Sequence, residues 1–138
     1  GAKKIGLAYC VALQKEAKIF ASVARNNGLE VVGVICKVGG IDKCDIGFED
    51  DIKHNPGHHE PICNPILQAD YLNRENTQLN ILIGLCVGHD SIFTRYSKAP
   101  VTTLVVKDRI LAHNAAGALY NADSFYKDKL KSIKLRKE

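Results

Sequence analysis

Residues 79–90, LNILIGLCVGHD, constrain the fold more than any other stretch of the chain. The segment opens on a nearly continuous apolar run of Leu79, Ile81, Leu82, Ile83 and Leu85, the pattern of a strand covered on both faces. It closes on Cys86, Gly88, His89 and Asp90. In an open parallel α/β sheet, ligands bind outside the carboxyl ends of the strands. Those four residues therefore belong at the edge where chemistry is expected.

The chain around this segment alternates between strand and helix patterns. Residues 3–10 (KKIGLAYC) read as a first strand with Ile5, Leu7 and Ala8 in the core. Leu13, Ala17, Phe20 and Ala24 recur at helical spacing over 13–27, and Gly28 suits the left-handed position that ends a helix. Residues 30–38 (EVVGVICKV) form a second strand, rich in β-branched residues. Together these make a right-handed βαβ unit. Residues 39–63 are a long irregular stretch holding Cys44, His54, His58, His59 and Glu60, and a loop of that length in a compact domain is often functional. Asn64 as N-cap and Pro65 at the first position start a helix whose buried face is marked by Ile66, Ala69, Leu72 and Asn73. After the third strand, Asp90 or Ser91 caps a short helix with Ile92, Phe93 and Tyr96 inside. Pro100 ends it, and residues 101–106 (VTTLVV) form a fourth strand. Lys107, Asp108 and Arg109 turn the chain, 110–113 return as a short strand, Asn114 caps a turn of helix, and Asp123 or Ser124 caps a last one. The expected fold is one α/β domain over 1–138: three layers around a mostly parallel, Rossmann-like or flavodoxin-like sheet of four or five strands.

Composition excludes several classes. No apolar run approaches the roughly 20 residues of a membrane helix, so no membrane partner is expected. The net charge of +4 lies in residues 127–138, which carry six basic and two acidic residues, and the remainder is balanced. A nucleic-acid surface needs basic residues spread over a face of the fold, so a solvated helix end is the expected reading. Five cysteines without a C-x-x-C pair argue against a disulfide framework and for a reducing, cytoplasmic compartment.

Cysteine placement carries the functional expectation. Cys10 ends the first strand, Cys36 nears the end of the second, and Cys86 ends the third. Parallel strands bring all three to one edge, and Cys63, just before a helix N-terminus, opens on that edge too. Each alone reads as a small apolar filler. Four together point to a site. Thiolates select zinc, Cu(I) or an iron–sulfur cluster, and a helix N-terminus favours the thiolate of Cys63. His89 and His113 are borderline ligands at the same edge. Cys44 has no such placement. The segment 84–88 is no phosphate loop, lacking both G-x-G-x-x-G and a Walker lysine.

The segments IGLAYC, CKVGG, Cys63-Asn64-Pro65, GLCVGHDSIF, SKAPVTTLVVKDR and AHNAAGALYNADS resemble the family called domain of unknown function eighteen-forty-seven. The match runs from Lys3 to about Tyr126. The resemblance implies an uncharacterised metal-binding protein of an anaerobe, without an established reaction. It also implies a family N-terminal cysteine-rich segment that this chain lacks. Carried over by position, the motif residues are Cys10, Cys36, Cys63 and Cys86, with His89, Asp90 and His113. Ala115 stands where the family often has proline, and His54, His58, His59 and Cys44 match no family motif.

The leading expectation is a metal ion (zinc or iron) or an iron–sulfur cluster held by Cys10, Cys36, Cys63 and Cys86, with His89, Asp90 and His113 as further site residues. The alternative is a thiol-dependent enzyme acting on a small molecule in the same cleft, with Cys86 or Cys63 as nucleophile and His89 as base. A third is an interaction module using the basic tail.

Overall fold

The computed structural model of the chain describes residues 1–128. β1 (Lys4–Tyr9) is followed by a 3-10 turn and α1 (Gln14–Asn26), then β2 (Glu30–Ile35). After the long loop come α2 (Pro65–Arg74), β3 (Leu79–Ile83), α3 (His89–Tyr96), β4 (Val101–Val105) and a short α4 (Ala116–Tyr120). The four strands form one sheet in the order β2-β1-β3-β4, and every pairing is parallel.

Helices cover both faces, giving three layers. On β1, Leu7 and Tyr9 line one cavity with Ala17 and Ala21 of α1. Three alanines on α1 (Ala17, Ala21, Ala24) are buried and let that helix approach the sheet closely. On the opposite face Gly6 gives space to its neighbours: a Cβ there would stand 2.0 Å from Asn80 Oδ1 and 2.7 Å from Leu72 Cδ1 of α2. α3 lies beside α2, joined by Asn73 Nδ2 donating to the Tyr96 carbonyl at 2.8 Å and the Lys98 N–H donating to Asn73 Oδ1 at 2.8 Å. Leu7, Leu72, Leu82, Ile83 and Phe93 are among the largest fully buried side chains. Each contributes about 1.5–3 kcal/mol by leaving water.

Several local expectations give way to tertiary packing. The buried face of α2 is Pro65, Gln68, Ala69 and Leu72, while Ile66 is 45% exposed. Gln68 is drawn inside because its amide has work there: Nε2 donates to the Val34 carbonyl at 2.9 Å. Its Oε1 has no partner among the described residues. In α3 only Phe93 is buried, and Ile92 (40%) and Tyr96 (49%) face outward. Residues 110–113 form turns instead of a strand, with Ala112 (φ 52°) and His113 (φ 62°) in the left-handed region. Asp108 Oδ1 accepts the N–H groups of Ile110 and Leu111 and holds that turn. Residues 121–126 are turns. From residue 129 onward, the expected last helix and the basic tail lie outside the described residues. Among the described residues, no helix is long and apolar enough to cross a membrane.

The long loop is pinned by charge. Lys53 Nζ reaches Asp42 at 2.8 Å and Asp50 at 2.9 Å. Asp42 also accepts the N–H groups of Cys44 and Glu60, and one isolated bridge pairs Asp42 with Pro61.

Candidate functional site

The strand order fixes where a crevice opens. The chain leaves β1 for α1 on one face, and it leaves β3 for α3 on the other. The two strands are neighbours, so their carboxyl ends form the switch point at which α/β sheets bind ligands. β3 stops there because Gly84 takes φ +62°, and a Cβ at that position would lie 1.9 Å from Leu13 Cδ1.

Backbone hydrogen bonds set the cysteines at this edge in steps. The Cys10 N–H donates to the Ile83 carbonyl at 3.1 Å, and the Cys36 N–H donates to the Tyr9 carbonyl at 2.9 Å. The Asn64 N–H donates to the Cys36 carbonyl at 2.8 Å. That contact places Cys63 immediately before α2, whose N-cap Asn64 accepts the Leu67 N–H at 2.9 Å. Cys10 and Cys36 are buried, and Cys63 and Cys86 are half-buried. Cys44 is exposed in the loop and points its thiol at Asp50.

A residue with no assigned role in the sequence reading connects them. Lys107, just past β4, donates from Nζ to Cys10 Sγ at 2.7 Å and to Cys86 Sγ at 3.5 Å. The Cys36 thiol lies near enough to Cys10 and Cys63 for each to shift its titration. Lys107 joins Cys10 to Cys86, and Cys36 and Cys63 stand beside that pair on the same edge. Lys107 was legible in principle: the end of β4 lies on the same edge as the ends of β1, β2 and β3.

The electrostatics divide the thiols. Burial pushes the Cys10 thiol up, but the Lys107 ammonium and the Ala12 N–H outweigh it, and the net shift is downward. Burial pushes Cys36 up to about 12, against the pull of the Val11 N–H, which donates to its Sγ at 3.3 Å. Burial also works to lower Lys107, and Cys10 and Cys86 reverse that, so the ammonium is held.

The remaining expected site residues are engaged locally. Asp90 Oδ1 accepts the N–H groups of Gly88 and Ser91 at the start of α3. The His89 N–H donates to the Cys86 carbonyl at 2.8 Å, and the residue lines a cleft with Cys63. His113 Nδ1 accepts the Asp108 N–H at 3.0 Å. No group of three or more His, Cys, Asp or Glu side chains is arranged around a common metal position among the described residues. Four thiols suit a soft metal in type. In arrangement, the Lys107 ammonium already stands between Cys10 and Cys86.

Residues 1–104 match the profile of a family described as Protein of unknown function (DUF1847). The chain belongs to that family. Its DUF1847 match contains all four clustered cysteines, His89 and Asp90, while Lys107 and His113 lie beyond the matched segment. An uncharacterized protein of Methanocaldococcus jannaschii is 52% identical over 128 residues, covering 93% of this chain. This chain spans 63% of that relative's length. No solved structure gave a significant match. The family resemblance expected from the sequence segments is borne out.

Proposed function

We propose that the switch-point edge of this DUF1847 domain is a thiolate centre, with Cys10 the nucleophile for thiol-dependent chemistry on a small molecule. The Lys107–Cys10 contact of 2.7 Å carries this reading. A buried thiol is ordinarily inert, and a thiolate beside a lysine is a nucleophile. Cys10 would add to a carbonyl carbon of the substrate, its sulfur lone pair forming the C–S bond as the C=O π pair moves onto the oxygen. The Lys107 ammonium, on the same side, would stabilise negative charge developing on an adjacent oxygen. Cys36, with its proton held, would remain a neutral thiol beside it. The nucleophile differs from the Cys86 or Cys63 of the sequence reading, because only Cys10 combines burial with a direct cation.

Cys10 is only 3% exposed, so a compact reagent is needed to test this. Iodoacetamide labelling at neutral pH, mapped by mass spectrometry, should mark Cys10 ahead of Cys36, and Lys107→Met should slow Cys10 by about tenfold. Equal, slow labelling of both thiols in both proteins would refute the proposal.

A second reading is favoured by the donor set: a soft metal, zinc or iron, or an iron–sulfur cluster on Cys10, Cys36, Cys63 and Cys86. It requires the Lys107 side chain to withdraw. Metal and acid-labile sulfide analysis of protein purified without oxygen tests it, and stoichiometric metal lost in Cys10→Ser and Cys36→Ser would favour it over the thiolate centre.

A further inference from the structure

Beside the thiols lies an open cleft of about 530 Å³ whose wall includes Cys63 and His89. Its charged lining is lopsided. Lys37, Lys43 and Arg109 contribute three cations and Glu60 one carboxylate. Glu60 is already consumed: it pairs with Lys43 and accepts the His54 N–H at 2.7 Å. Lys37 is anchored on the Pro61 carbonyl, an uncharged partner that leaves its charge uncompensated. Arg109 takes part in no ion pair among the described residues. His54 and His89 also line the cleft, and Phe48 and Ile46 give it an apolar wall. The N-termini of α2 and α3 open on this edge, with partial positive charge at each.

We infer that this cleft binds a small anionic molecule, one with a phosphate or carboxylate group held by Arg109 and Lys37 and an apolar body against Phe48. Arg109 supplies the planar fork that either oxyanion fits. Cys63 is the thiol in the wall of this cleft, and Cys10 and Lys107 do not line it. Any chemistry that follows binding rests on the thiolate reading above, and binding itself stands apart from it.

The two are separated by nuclear magnetic resonance titration of the whole chain with phenyl phosphate, phenylacetate and the neutral phenylacetamide. At least one anion should move the His54 and His89 ring signals, while phenylacetamide does not. Arg109→Gln, with Lys37→Gln as a second variant, should weaken the bound anion about tenfold, the loss of one charged contact. Tighter binding of phenyl phosphate would identify the phosphate class, and tighter binding of phenylacetate the carboxylate class. Cys10→Ser should leave these shifts in place, even if the thiolate centre itself proves wrong. Binding of the amide as strong as that of the anions, an unchanged affinity in both variants, or no shift up to about 10 mM would overturn the inference.

Discussion

Lys107 Nζ stands 2.7 Å from Cys10 Sγ although 97 residues separate the two in the chain. The contact joins β4 to β1 across β3, and it converts a buried thiol into a site with a counter-ion.

The first consequence is a shifted titration. The thiolate ultraviolet absorbance present in wild type and missing in Cys10→Ser should rise with an inflection below that of an ordinary thiol. In Lys107→Met the same difference should rise above it, because burial is then unopposed. An inflection unchanged by the substitution would remove Lys107 as the cause.

The same pair makes stability depend on pH. Cys10 titrates lower in the folded chain than in the unfolded one. Its contribution is complete above the unfolded thiol value and is lost as pH falls through the folded value. Lys107 titrates higher when folded, so its contribution persists until pH rises through that raised value. Wild type should therefore exceed Lys107→Met in urea stability by more at about pH 9 than at about pH 6. A gap that narrows towards pH 9 would contradict the ion pair.

Below the edge, packing sets the scale. Phe93 is fully buried, and Phe93→Ala should cost about 3–5 kcal/mol in chemical denaturation. Gly84→Ala places a Cβ 1.9 Å from Leu13 Cδ1 at a positive φ, which should cost about 1–3 kcal/mol. A neutral Gly84→Ala would mean that Leu13 yields freely and that the β3 terminus is not fixed by this contact.

The long loop should be sensitive to acid. Lys53 beside Asp42 and Asp50 holds both carboxyls below the usual carboxylate range, with the Cys44 N–H adding to the effect at Asp42 and the Gly57 N–H at Asp50. Their support for the loop is complete above about pH 4 and is lost as pH falls through the lowered values. Asp42→Asn should speed proteolysis within residues 39–63 several-fold at neutral pH while leaving cleavage elsewhere unchanged. Uniform acceleration along the chain would mean that Asp42 supports the whole fold.

Where the sequence carries a periodic or capping signal, it predicts the structure closely. The strand, helix, strand opening, the Asn64 cap with Pro65 behind it, and the apolar run at Leu79 each announce themselves locally. The four cysteines meet at one edge because parallel strands leave no other choice. A polar side chain is ordinarily exposed and an apolar one buried, yet in α2 Gln68 is buried with its amide on the Val34 carbonyl, and Ile66 is 45% exposed. The segment 110–113 resembles a short strand until the Asp108 carboxylate claims its N–H groups. Lys107 was hidden for a different reason. A lysine at the end of a strand is ordinarily solvated, and only the neighbouring thiols, distant in sequence, give it a role.

The topology also sets an order in time. Synthesis delivers Cys10 first and Lys107 last, 97 residues later, roughly 5–20 s of chain elongation. Through that interval Cys10 lacks the Lys107 cation. The pair forms only when β4 docks on β3 and carries the ammonium across. The sheet order therefore ties the counter-ion of Cys10 to the completion of the fold.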